Sequence, residues 1–198
     1  MLSKIFHKLS KKASRKNLIN FIESSIKNEL DKNRENKVLN IGSGGELEDL
    51  IKKNFKEVHS IDIDQKRSPD QLLDVCDINF KEKIKIKPSL VCCFEVLEHT
   101  KNPNKAIKNI YNILDKGDYF LVSVPFNFHI HDEPNDFFRF TYFGLKMLFN
   151  DFSKVTIKRR NGWLESIFVN IIRLEKEKNI LSKFCLLYTS DAADDSLR

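Results

Sequence analysis

The chain has 198 residues, 41% of them hydrophobic, which suits one domain with a sizeable core, and no apolar run approaches the roughly 18 residues that a membrane span needs. The formal net charge of +6 is concentrated at one end: Lys4, Lys8, Lys11, Lys12, Arg15 and Lys16 stand among the first 20 residues without an acid. The remainder is therefore close to neutral, which argues against a broad nucleic-acid-binding face.

Leu2, Ile5, Phe6 and Leu9 fall at helical spacing with lysines between them, so the first dozen residues read as a short basic amphipathic helix. Two readings of residues 1–16 stand: peripheral attachment to an anionic membrane surface, or a solvated tail. No apolar stretch follows the basic start, so a secretory signal is not expected. Leu18, Phe21, Ile22, Ile26 and Leu30 share one stripe and predict a second helix over 17–30.

Val38, Leu39 and Ile41 suit a buried strand. The run then breaks into Gly42-Ser43-Gly44-Gly45, and a helix is predicted over 46–55. Glycines there permit a tight turn and a close approach of ligand to backbone, and the helix start aims free N–H groups at the same spot. The run over 58–61 is read as a second strand ending in Asp62, 20 positions after Gly42. That is where a nucleotide-binding corner places a carboxylate for a ribose.

Leu72-Leu73-Asp74-Val75-Cys76-Asp77 predicts a short third strand ending in a second acid. Residues 89–94 are almost wholly apolar, as a central parallel strand should be, and Glu95-Val96-Leu97-Glu98-His99 follows. Cys92 and Cys93, neighbours on that strand, are expected to point to opposite faces. With Cys76 and Cys185 they show no metal-ligand spacing and read as reduced thiols of a cytosolic protein, with membrane association left open by residues 1–16. Pro103 marks the first turn of a helix to about Leu114, residues 116–118 make a turn, and 119–124 form the next strand, stopped by Pro125. This alternation predicts an α/β fold: a doubly wound, mostly parallel sheet with helices on both faces. Ligands of such sheets sit beyond the carboxyl ends of the strands. Residues 42–45, Asp62, Asp77, residues 94–99 and the loop from Pro125 should therefore line one crevice.

That last loop, 125–141, is long, aromatic and dense in ionisable groups. His131 is a candidate general base. Arg139 is suited either to hold a carboxylate or phosphate, or to pair with Asp136 and brace the loop. His131, Asp132, Glu133 and Asp136 could be read as a metal site, but no metal is assigned. Thr141 opens a helix through Phe149, residues 152–159 alternate like a strand, and 163–178 read as a helix.

The order of these motifs resembles the class I S-adenosylmethionine-dependent methyltransferases, and most of all the group with a Leu-Glu-His motif after the fourth strand. The resemblance runs over about 36–162, through Val38-Leu39-Asn40-Ile41-Gly42-Ser43-Gly44, Asp62, Asp77, Leu97-Glu98-His99, Asn102-Pro103 and Val124-Pro125-Phe126. It implies S-adenosylmethionine as cofactor, held by Asn40, Gly42, Ser43, Gly44, Asp62, Ile63, Asp77, Ile78, Phe94 and Glu95. It also implies acceptor contacts from His99, Asp136 and Arg139, with His131 catalytic, and a small-molecule, sugar or lipid-linked glycan acceptor. Three positions depart from that family: Asn40 and Ser89 replace acids, and Glu46 replaces a glycine. The rivals are a catalytically silent domain of this fold that binds a partner, and an NAD-dependent oxidoreductase. The latter is disfavoured because Leu47 stands where a dinucleotide loop wants its third glycine. The domain is expected over 17–184. Residues 185–198 shift abruptly to Ala, Asp and Ser, resemble translated sequencing-adapter sequence, and are set aside. The resembling fold closes with an antiparallel seventh strand, expected here to be missing and to leave a sheet edge.

Overall fold

The computed structural model describes residues 2–30 and 35–159, together with Gly162, Leu164, Ser166, Ile167 and Asn170. Helix α1 (Leu2–Glu29) leads into strand β1 (Lys37–Ile41), helix α2 (Gly45–Asn54) and strand β2 (Glu57–Asp62). Strand β3 (Gln71–Leu72), the single turn α3 (Phe80–Lys83), strand β4 (Leu90–Phe94), helix α4 (Pro103–Ile113), strand β5 (Tyr119–Ser123) and helix α5 (Tyr142–Leu148) follow. The five strands form one parallel sheet in the order β3-β2-β1-β4-β5. The expected α/β architecture is present, with its carboxyl ends gathered on one edge.

Alternation along the strands builds two apolar layers, because successive side chains leave opposite faces. Leu39, Ile41, Ile61, Val91 and Cys93 pack with Phe80, with Ala106, Ile107, Ile110 and Ile113 of α4, and with Phe149. Val38, Leu90, Cys92 and Phe94 pack with Leu18, Ile22 and Leu30 of the first helical segment and Ile51 of α2. Cys92 and Cys93 thus divide between the faces as expected, and burial raises both thiols above the ordinary cysteine range. Ser89, one of the departures, is absorbed by the sheet: its hydroxyl accepts from Lys37 N at 3.1 Å and so ties the start of β4 to that of β1.

Three expectations differ from the structure. The basic start and the stripe over 17–30 form one continuous helix, since nothing at residues 13–17 stops a helix. Side-chain positions before Arg15, and with them the membrane reading, lie outside the described residues. The third strand is cut to two residues because Asp74 turns the chain: its Oδ1 accepts from Cys76 N at 2.7 Å and its carbonyl from Asp77 N at 3.0 Å. Residues 152–159 are not a strand. Phe152 turns inward against Phe149, Phe120 and Tyr111, and Lys158 reaches Glu29 at 2.9 Å, so neither side of this segment meets a ladder partner. Among the described residues β5 is an edge of the sheet, and most of the chain that follows residue 159 lies outside them. Most of the helix expected over 163–178, and all of the adapter-like tail, lie outside the described residues.

Candidate active site

The corner after β1 is held by its own backbone and by two acids. Gly42 (φ 90°) and Gly44 (φ 87°) occupy conformations that side chains resist. A Cβ at Gly42 would come within 2.6 Å of Val96 Cγ2, so the loop after β1 and the loop after β4 touch there. Gly42→Ala should therefore lower stability by about 1–3 kcal/mol. Adding Val96→Ala should restore only the steric part. A urea midpoint unchanged by the single substitution would show that the two loops are not in contact.

Asn40 is buried beneath this turn and donates through Nδ2 to Gly42 O at 2.9 Å. Ser43 N donates to Asp62 Oδ2 at 2.8 Å, while Asp62 Oδ1 accepts from Asp64 N at 2.8 Å. The ribose acid anticipated from spacing is thus anchored directly on the glycine turn. A carboxylate offers about four acceptor sites, so capacity remains for a ligand's hydroxyls.

Glu48 is a residue whose part was not anticipated. It lies buried in α2, accepts from Ser43 Oγ at 2.9 Å, and takes the Gly44 N–H. Burial pushes its carboxyl up, but bonds from Lys52, Gly44 and Ser43 outweigh this and hold it below the ordinary range. An acid early in a helix that reaches back to the cap residue is the signal that could have found it.

Beyond β2 and β3, an open cleft of about 540 Å³ is lined by Ile63, Leu72, Leu73, Asp74, Asp77 and Lys83, among others. Ile63 is 69% exposed and Ile78 is 78% exposed, unusual for isoleucine. Asp77 is held below the ordinary carboxylate range by Lys83, 2.6 Å away, and by the Asn79 N–H.

At the end of β4, Phe94 is buried and Glu95 adopts φ 56°. That left-handed backbone is fixed from β5: Glu95 N donates to Ser123 O at 2.9 Å, and Ser123 Oγ donates to Glu95 Oε1 at 2.8 Å. The following turn, residues 97–99, meets the loop from Pro125, for Phe137 N and Phe138 N both donate to the Glu98 carbonyl. His99 and His131, 32 positions apart, stand edge to face with ring centres 4.9 Å apart. Asn135 O lies 2.7 Å from His99 Nδ1. Asp136 Oδ2 lies 3.1 Å from His131 Nδ1, off the line of a good hydrogen bond, and accepts the His131 backbone N–H at 2.9 Å.

Arg139 closes this loop as a brace. Its donors reach both Asp136 oxygens at 2.6 Å and the carbonyls of Phe128, His129 and Phe138. A guanidinium has five N–H groups, and all are engaged. This is the bracing arrangement, the second reading of that pair. Arg139 holds the Asp136 carboxyl far below the ordinary range. Asp132 and Glu133 are exposed and join no cluster with His131. The residue that does is Glu98, whose side chain is 0% exposed. Burial, then the neighbouring Glu95, push its carboxyl up to about 8.

Glycine turn, ribose-type acid, apolar cleft and histidine pair thus occupy one edge of a parallel sheet, with a strained Glu95 at its centre. A family model described as a methyltransferase domain matches residues 7–162. Comparison with curated proteins and with solved structures returned no match. With most of its length matched, the chain belongs to this family of class I S-adenosylmethionine-dependent methyltransferase domains.

Proposed function

We propose that the chain binds S-adenosylmethionine and transfers its methyl group to a hydroxyl of a small molecule, a sugar or a lipid-linked glycan. The observation that carries this reading is the bond from Ser43 N to Asp62 at 2.8 Å, which presents the acid to a ribose at the mouth of the glycine turn. Ile63, next to that acid, and Ile78, next to Asp77, expose apolar surface fit for a flat heterocycle, and Asp77 in the cleft stands ready to accept from an exocyclic amine.

When bound, the cofactor supplies a methyl group already activated by a sulfonium. The protein's work is then alignment and proton removal. The glycine turn and Glu95 would position the methionine end, with Val96 fixing the distance between their loops. His99 and His131 would face the acceptor, each a quarter or less exposed, and His131 is the residue through which the acceptor hydroxyl loses its proton.

Calorimetric titration with S-adenosylhomocysteine, with NAD alongside, tests the reading. Binding of the first alone is expected. Binding of NAD alone would replace it with the oxidoreductase, and cofactor binding without turnover on any hydroxyl acceptor would favour the silent domain. Asp62→Ala should weaken S-adenosylhomocysteine binding by about 1–3 kcal/mol, the scale of a lost charge-assisted hydrogen bond. An unchanged dissociation constant would remove Asp62 from the site.

A further inference from the structure

We propose that Glu98, His99 and His131 form a binding site for a divalent first-row transition-metal ion. One ligand atom from each lies within 4.8 Å of the other two, and Glu98 Oε1 is 3.8 Å from His99 Nε2. Ligand atoms bound about 2.0–2.2 Å from a shared ion stand about 3–4 Å apart. The three therefore close around an ion with side-chain shifts of less than about an ångström.

Glu98 is the observation that points to a ligand. Its side chain is fully buried, yet neither carboxylate oxygen has a hydrogen-bond partner among the described residues. Buried carboxylates are normally paired, hydrogen-bonded or on a metal. His99 and His131 are the side chains that stand with it, while the Arg139 guanidinium is bonded to Asp136 and to backbone carbonyls.

The histidines are set as metal ligands usually are. Such a ring presents one nitrogen to the ion while the other faces a carbonyl or carboxylate that fixes its orientation. His99 Nδ1 faces Asn135 O at 2.7 Å, and His131 Nδ1 faces Asp136 Oδ2 at 3.1 Å. His99 Nε2, 3.8 Å from Glu98 Oε1, is left for the ion, and His131 offers one ring nitrogen to the same cluster. The backing partners are themselves fixed, Asp136 by Arg139 and Asn135 by its N–H to Asp132 O.

Two imidazoles and one carboxylate suit manganese, iron, cobalt or zinc better than calcium, which prefers an all-oxygen shell. Three protein ligands also leave coordination positions open. The histidine side chains, 22% and 25% exposed, turn those positions toward solvent, whereas Glu98 closes the inner side. On the methyl-transfer reading, those open positions receive the acceptor's oxygens. An ion there would acidify the acceptor hydroxyl, whose proton would pass to solvent at the partly exposed histidines as the C–O bond forms and the C–S bond breaks, with His131 holding the ion rather than taking the proton itself.

The test is titration of the full, chelator-stripped chain with Mn2+, followed by loss of the free-ion electron paramagnetic resonance signal, and with Zn2+ by calorimetry. One ion per chain is expected. His99→Ala and His131→Ala should each weaken binding by at least about 10–100-fold, and Glu98→Gln should do the same while circular dichroism stays unchanged. Absence of binding at millimolar metal in folded protein overturns the site, as does binding that persists in a folded His99→Ala/His131→Ala double variant. Parallel titration with S-adenosylhomocysteine keeps the two proposals apart. Metal bound without it supports the ion site and fails the methyl-transfer reading, and the reverse fails the ion site alone.

Discussion

Asp136→Asn should lower the unfolding free energy by about 3 kcal/mol at neutral pH, the low end for breaking a buried ion pair because Arg139 is partly exposed. The Asp136 side chain is 1% exposed and bonds both ends of the Arg139 fork. Asparagine keeps the shape but offers one acceptor oxygen, so the guanidinium is left half-paired between three carbonyls. The backbone N–H of His131 also loses its acceptor or competes for the one that remains. Because Arg139 holds the folded-state pKa of Asp136 below its unfolded value, the acid's contribution is fully present above the ordinary carboxylate pKa of about 3.9 and is lost as pH falls below it. Urea midpoints should therefore separate wild type from variant at pH 7 and converge toward pH 2. A constant gap across that range, or none at pH 7, would mean that Asp136 and Arg139 do not hold this loop.

Much of the framework could be read from local chemistry. The run Val38-Leu39-Asn40-Ile41, the glycines and Asp62 lie close in sequence, and the Ser43–Asp62 bond joins the glycine turn and the acid at one corner. Asn102 with Pro103, and Thr141, start helices as their side chains dictate, accepting from Lys105 N and Gly144 N. What failed were judgements that depended on partners. Residues 152–159 alternate as a strand does, but alternation does not supply a neighbouring edge, and Phe152 finds the core instead. Leu72, Leu73 and Val75 around Asp74 make the stretch resemble a strand, yet the Asp74 carboxylate takes the Cys76 N–H and bends the chain.

The candidate site divides the same way. A metal-type set drawn from neighbours in sequence joined His131 to Asp132, Glu133 and Asp136. In space His131 turns from the exposed Asp132 and Glu133 toward His99 and Glu98, more than thirty positions earlier. The isolation of Glu98 had no local signal. It arises because residues 137 and 138 fold their N–H groups onto its carbonyl, so loop and turn close over the side chain while satisfying only the backbone.

Glu98→Gln should stabilise the metal-free protein at pH 9 by about 3–5 kcal/mol, an upper range set by the displacement of the Glu98 carboxyl from its usual pKa. The direction follows from the proton. Burial raises the folded-state pKa from 4.5 to about 8, so the unfolded chain ionises Glu98 first. Wild type therefore loses stability steadily as pH climbs between those values, and the whole penalty is in place above the upper one. Glutamine carries no such charge and no such slope. In the presence of chelator, the two proteins should be close in stability at pH 4 and well separated at pH 9, as read from denaturant midpoints at each pH. Parallel curves would mean that water reaches the carboxylate, and the case for a desolvated, unpartnered Glu98 would fall with them. A fully buried carboxylate whose two oxygens have no hydrogen-bond partner among the described residues is hard to explain by packing, since glutamine or leucine would fill the same space at less cost. It is readily explained by a cation placed between Glu98 and two oriented histidines, whose binding energy offsets the desolvation that the apoprotein bears alone.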